Sequence, residues 1–497
     1  MGGRIIEFHY ASRILHPQAD SSESRYPHIP RKSEKSAGGG LSVPVTNSPL
    51  LVGPCHSDDG DMPKDTTPSP TPTISRVLPD GTMIELLYDA ARATTSFAVC
   101  PPSGTPTLES QINLPTKECL VPYSAANNLL TSGCVLLPSG LSDFGDKQML
   151  LADIKAFIHR YVDLTALFED IAAHYVLLSW VHDAFNELGY LRVRGAWGSG
   201  KTRFLLAVGS LCYRPFFASG ASTVSPIFHI LHEFGGTLVL DEADFRFSDA
   251  TADLTKILNN GNMKGLPVLR TMTNRHRELN PQAFKVFGPK LIAMRGNFAD
   301  EALESRFLTE ETGGRPLRSD IDIHLSDAMK AEAQDLRNKL LAWRFQARGD
   351  VGIDASRLVD GLSPRGNQTA LALLSLVDDA ALREAIADHL VTAEARAVAR
   401  RATLPHVAMV GVLQRQFGLS ETPYIRLAEA TNTFNQEASA RGEHPITPKA
   451  AGHIVRHKLG LQTRKSNGVY VIAQSEKGAI AELAKRYGQT GELTKAR

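Results

Sequence analysis

A chain of 497 residues with 42% hydrophobic content is long enough for two or three domains with true cores, which excludes a fibrous or wholly disordered protein. Its 54 Lys and Arg against 53 Asp and Glu leave a formal charge of +1, so any nucleic-acid surface must be a local patch. The five scattered cysteines include no CxxC pair, no apolar run approaches the roughly 20 residues that span a bilayer, and the first residues lack a signal-peptide core; a soluble cytoplasmic protein with free thiols and no membrane contact is expected.

Residues 1–73 are rich in Pro, Ser, Gly and Thr and read as a disordered leader or linker, part of which could precede the true start. From 74 to 140, short runs such as MIELLY and TSFAVC are separated by turn signals, including Pro79-Asp80-Gly81, and predict a small β-rich module. Two helical patterns, MLLADIKAFIHRYV and LTALFEDIAAHYVLLSWVHDAF, fill a connector over 141–187. From 188 to 320 strands alternate with helices: YLRVRG, RPFFASG, GTLVLDEAD and PKLIAMRGN are four strands of an expected parallel sheet. Residues 321–420 turn helical, as a lid or bundle would; 421–475 change again, and 476–497 are a tail.

GAWGSGKT, residues 195–202, stands between the first strand and a helix. Gly195, Gly198 and Gly200 remove the Cβ atoms that would stop backbone N–H groups, with that of Ser199 among them, from closing on a phosphate. Lys201 would reach the β and γ phosphates of ATP, and the Thr202 hydroxyl would ligate Mg²⁺. Forty residues on, GTLVLDEAD ends in two acids. Asp241 is expected to hold Mg²⁺ and Glu242 to polarise the attacking water. A solvated strand end would carry the same letters without the chemistry.

On these motifs, with PKLIAMRGN and ALESRF, residues 190–308 resemble the AAA+ class of ATPases, and the chain is similar to helicase-like ATPases of bacterial mobile elements and prophages. The resemblance implies an α/β P-loop NTPase core of three layers with a helical lid. It makes Asn297 the residue that positions water, and Arg306 a finger acting on a neighbour's nucleotide in a ring, most simply a hexamer. Arg306 could instead pair with Glu301 or Glu304 on its own helix. Arg365, opening a lid helix, matches the place of a cis-acting arginine, or is a surface residue.

Between the acidic strand and PKLIAMRGN lies an insertion that reads as strand, basic tip and returning strand, carrying Lys264, Arg270, Arg275, His276 and Arg277. The resemblance implies that such an insertion touches DNA in the pore. At the C-terminal end, helix, turn, helix and an Asn467-Gly468 hairpin follow the order of a winged helix. Lys449, His453, Arg456, His457 and Lys458 fall on its recognition helix, and Arg464 and Lys465 at the wing. The expected function is an ATP-driven motor on DNA, a helicase or translocase; the alternative is an ATP-dependent regulatory or assembly switch whose winged helix recruits a partner or operator.

Overall fold

The computed structural model describes residues 70–487 apart from 221, 242–248, 274–278, 299, 315, 403 and 420–422. The expected leader lies almost wholly outside the described residues. Residues 70–122 form two small sheets. One is antiparallel and joins β2 (Ser75–Val77), β3 (Met83–Asp89), β4 (Thr94–Cys100) and β5 (Thr107–Glu109); the other joins β1 (Pro70–Thr73), β7 (Cys119–Pro122) and β6 (Ile112–Asn113). After a short α1 (Asn128–Thr131), the GCVLL run forms no strand of its own. It lies along the edge of the next sheet instead, through a bridge between Val135 and Phe216 and the bond from Phe217 N–H to the Cys134 carbonyl.

Helices α2 (Lys147–Tyr161) and α3 (Ala166–Trp180) occupy the connector, each started by a side chain, Asp146 and Thr165, that accepts a bond from the first-turn backbone. The core alternates β8 (Tyr190–Gly195), α4 (Lys201–Leu211), β9 (Phe216–Ser219), α5 (Val224–Phe234), β10 (Leu238–Asp241) and α6 (Asp249–Asn260). A hairpin, β11 (Val268–Thr273) and β12 (Leu279–Phe284), precedes β13 (Lys290–Met294); then come a one-turn α7 (Glu301–Glu304) and β14 (Phe307–Thr312). Five strands form one parallel sheet in the order β14-β8-β13-β10-β9.

Alternate residues of these strands enter different cores, as a pleat requires. Leu191, Val193, Leu291 and Ala293 pack with α2, α3 and α4, whereas Tyr190, Ile292, Met294 and Leu240 pack with α5 and α6. Burial on both faces explains why the central strands are near-continuous apolar runs. β14 escaped the sequence reading because FLTEET, an edge strand with two carboxylates, has no such run.

The helical region holds α8 (Asp327–Ala347), α9 (Pro364–Leu374) and α10 (Ala380–Ala402). The next helix, α11 (Pro405–Leu419), was expected to belong with them, but its Met409, Val412, Leu413 and Phe417 pack against Phe434, Val455, Ile472 and Ile480 of the C-terminal unit. That unit contains β15 (Tyr424–Arg426), α12 (Leu427–Ala440), α13 (Pro448–His453) running into a π-helical turn at Ile454–Lys458, β16 (Thr463–Ser466) and β17 (Val469–Ala473). β15 pairs with β17 and β17 with β16, all antiparallel. The predicted hairpin turn has φ +49° at Asn467 and +81° at Gly468, the positive pair that a tight two-residue turn needs. Part of the expected tail is a helix, α14 (Lys477–Arg486), which buries Ile480 and Ala484 against α11. Among the described residues no helix is long and apolar enough to cross a membrane.

Candidate nucleotide site and basic surfaces

The parallel strand β8 delivers the chain to the loop at the carboxyl end of the sheet, and α4 carries it away. Gly198 and Gly200 take φ +76° and +84°, and a Cβ on either would meet open space, so it is their backbone conformation that calls for glycine. At Gly195 the reason is steric. A Cβ there would collide with the Thr312 carbonyl and hydroxyl and with Ser199 Oγ. Ser199 and Thr312 share a hydroxyl bond of 2.9 Å, which fastens the loop to the end of β14.

Lys201 opens α4 and folds its ammonium over the loop, donating to the carbonyls of Gly195 (3.0 Å) and Ala196 (2.6 Å). Thr202 Oγ1 donates to Asp241 Oδ2 at 2.7 Å, bringing together two hard oxygen donors that lie 39 residues apart. A glycine cradle, a helix amino terminus, an ammonium and a hydroxyl–carboxylate pair suit a nucleotide polyphosphate with Mg²⁺. Glu242 lies outside the described residues. Trp197, at the crest of the loop, is 87% exposed.

β13 stands between the loop strand and the Asp241 strand, so the segment that follows it emerges beside both. There Asn297 accepts a bond from Arg194, and the same guanidinium also binds Glu311. Arg400, near the end of α10, lies 3.9 Å from Glu311. Sequence reasoning missed Arg194, Thr312 and Arg400. Nothing in a solvated-looking helix such as α10 marks one arginine over its neighbours, and Thr312 lies on the strand that went unseen.

Arg306 lies at the opposite end of the sheet. β14 pairs with β8 from Phe307 opposite Tyr190 to Thr312 opposite Gly195, so six residue steps of about 3.3 Å separate Arg306 from Thr312 beside the loop. It bonds neither Glu301 nor Glu304, the latter being held by Arg192 at 2.5 and 2.7 Å. Instead Arg306 is 8% exposed and donates to Asn259 Oδ1 (2.5 Å) and the Ala302 carbonyl (2.6 Å). Arg365 lies in the first turn of α9. One turn on from it, the Thr369 hydroxyl donates to the Ser305 carbonyl, which puts the start of α9 at the Arg306 end of β14.

The insertion stands on α5 and α6 through one face of its pleat. Val268, Arg270 and Phe284 turn inward, with Phe284 against the rings of Phe228 and His229 at 4.7 Å each. Arg270 therefore pairs with Asp253 of α6 at 3.0 Å and is only partly exposed. Lys264, at the base, donates to the Asp183 carbonyl at 2.7 Å. The alternation that turned Arg270 inward leaves Leu269 and Leu279 71% and 76% exposed. Arg275, His276 and Arg277 fall outside the described residues.

Both feet of this hairpin are tied by Lys290, the first residue of β13. It has no exposed surface, and its ammonium donates to the carbonyls of Gly261, before the hairpin, and of Val286 and Gly288, after it.

In the C-terminal unit, Lys449, His453, Arg456, His457 and Lys458 are exposed along α13 and its π-helical turn, and Arg464 and Lys465 on β16. Tyr470 of β17 lies beneath Arg456 and Lys465, at 5.5 and 5.6 Å from its ring centre. This is the one expected basic surface whose members are all described and all exposed.

The glycine loop, the helix behind it and the parallel five-stranded sheet are those of a P-loop nucleotide-binding fold. No protein-family model matches the chain, and no curated protein matches it. Among solved structures it is similar to JCV helicase (TM-score 0.25, 16% identity, 48% of this chain), of which it spans 61%. It is also similar to Cdc6p from Pyrobaculum aerophilum (0.19, 12%, 65% of this chain and 95% of that one) and to the NrS-1 C-terminal region (0.32, 10%, 78% and 96%). At these scores the likenesses add nothing to what the loop itself says.

Proposed function

We propose that the chain is an ATP-hydrolysing motor of the AAA+ kind that acts on DNA as a side-by-side oligomer, as a helicase or translocase of mobile-element replication does. The observation that carries the ATPase reading is the Thr202–Asp241 pair beside the glycine loop. Loop N–H groups and Lys201 bind the phosphates, and Thr202 and Asp241 hold Mg²⁺, which when bound neutralises charge on the β and γ oxygens. Glu242, adjacent to Asp241, polarises water, and Asn297, its amide fixed by Arg194, orients it. Arg400 of the lid, through its position near Glu311, is better placed than Arg365 to answer to its own loop.

DNA is supported by the exposed arginines and lysines of α13 and the wing in a winged-helix-like order, and by the basic residues at the hairpin tip. ATP and DNA together fit a cytoplasmic protein. The test is ATP turnover with and without single-stranded and duplex DNA, on material of known oligomeric state, followed by strand unwinding. Stimulation with unwinding is expected. Assembly that depends on ATP without any DNA effect would favour the switch, and no turnover under any condition would end the ATPase reading.

A further inference from the structure

Glu311 is shared by two arginines that come from different parts of the fold. In the parallel pairing of β14 with β8 it stands opposite Arg194, one step before the pair Thr312–Gly195 at the loop. Arg194 places Nη2 on Glu311 Oε1 and Nη1 on Asn297 Oδ1. The same Glu311 oxygen lies 3.9 Å from Nη1 of Arg400. Glu311 is 68% exposed along its side chain and Arg194 only 13%, so the carboxylate is the partner with room to turn. A second acid stands close to Arg194. Glu304 Oε1 is 3.8 Å from Nη1, the nitrogen that holds Asn297. An Arg194 deprived of Glu311 is therefore drawn toward Glu304 and off the amide.

Arg400 belongs to the arm that carries the C-terminal unit. Leu404 N–H bonds the Arg401 carbonyl and Ala408 N–H bonds that of Leu404, joining the end of α10 to the start of α11. α11 in turn buries Met409, Val412, Leu413 and Phe417 in the core of that unit. Beside this joint, His406 Nε2 lies 3.8 Å from Oε1 of Glu301, which opens α7. Two carboxylates near Asn297 thus face the arm of the C-terminal unit.

We propose that Glu311 is a positioning residue for Asn297, acting through Arg194, and that Arg400 competes for Glu311, so that the C-terminal unit sets the rate of the nucleotide site. The proposal rests on the ATPase reading and on the role given there to Asn297. Arg400 acts on the carboxylate and not on a phosphate. With Glu311 on Arg194, the Asn297 amide is held for water; with Glu311 turned to Arg400, the amide is released. A ligand on the C-terminal unit changes turnover only as far as it shifts this balance.

Full-length Glu311→Gln, Arg400→Ala and the double variant are compared with wild type in steady-state ATP hydrolysis, with melting curves to confirm folding. Wild-type turnover comes first, since its absence would end the ATPase reading itself. Given wild-type turnover, Glu311→Gln is expected to lower kcat about 10-fold and to leave KM for ATP within about twofold. Arg400→Ala should raise kcat by about threefold in the wild-type background and change nothing in the Glu311→Gln background, because its effect passes through that carboxylate. In Asn297→Ala, adding Glu311→Gln should likewise cost nothing more. The same fold-change for Arg400→Ala in both backgrounds, or no change in either, would overturn the competition. A lower kcat with a raised KM in Arg400→Ala would show that it grips the nucleotide directly and overturn it too. Wild-type kcat in Glu311→Gln, or an undiminished Glu311 effect in Asn297→Ala, would overturn the positioning role. Should Glu311→Gln fail to fold, Glu311→Ser in the same cycle gives the same discrimination.

Discussion

Lys201 and Thr202 are neighbours in the chain yet answer to different partners, the lysine to the loop's own carbonyls and the threonine to Asp241. Lys201→Ala is expected to leave the fold intact and abolish hydrolysis, by at least about 100-fold; retained turnover in a phosphate-release assay would reject the site. Lys290 tests a different balance. Burial pushes its ammonium down to about 7, although three carbonyls accept its protons. In the unfolded chain the same group holds its proton to about 10. Between those values the unfolded state binds more protons, so the lysine's contribution to stability rises with pH from about 7 upward, and below 7 the cost of the buried charge is present in full. Lys290→Met abolishes this slope while leaving three carbonyls without a donor. It should be less stable than wild type and show a flatter pH dependence between pH 7 and 9. Urea midpoints measured at several pH values compare the two, and parallel curves would show that another group titrates.

Among the elements, the β16–β17 hairpin and the α13 face offer the clearest exposed charge. Replacing Arg456, Arg464 and Lys465 together by Ala should weaken duplex binding and reduce the slope of log K against log salt by roughly 2–3, since each lost phosphate contact removes nearly one unit. An unchanged slope in a fluorescence titration would take DNA away from this face. The wing turn was legible because Asn-Gly names its own backbone conformation, and the loop because glycines and a lysine at fixed spacing have few other uses. Other elements were hidden for physical reasons. Tyr424–Arg426 is invisible in the sequence, since three residues carry no period and only pairing with β17 makes them a strand. Arg270 looked basic and available, and only the hairpin register, with Val268 opposite Phe284, shows that it faces Asp253.

On the scale of the whole molecule, β3 is fastened to the parallel-sheet core and to α8 by buried charge. Glu85 of β3 accepts from Arg214 Nη2 (2.5 Å), from Tyr213 OH (2.8 Å) and from Arg344 Nε of α8 (2.9 Å). Arg344 continues to Asp183 at 2.8 and 3.0 Å, and although burial pushes the Asp183 carboxyl up, Arg344 outweighs it and holds the group well below the usual range. No sequence pattern announces this network, whose partners lie up to 259 residues apart and whose glutamate sits between the buried Ile84 and Leu86 of its strand. Glu85→Gln keeps the shape but leaves the buried Arg214 without an anion and Arg344 with Asp183 alone, a loss of about 3–5 kcal/mol. The midpoint of thermal unfolding should fall, with module, core and lid losing structure together; an unchanged melt would mean that the cluster adds no net stability.

The exposed indole at the crest of the phosphate loop has an optical consequence. The chain holds three tryptophans, and Trp180 and Trp343 are both buried. Buried indoles emit toward the blue, so the red edge of the protein's fluorescence belongs to Trp197. A ligand settling into the loop alters that edge first, and the protein carries its own dye at the place where its chemistry begins.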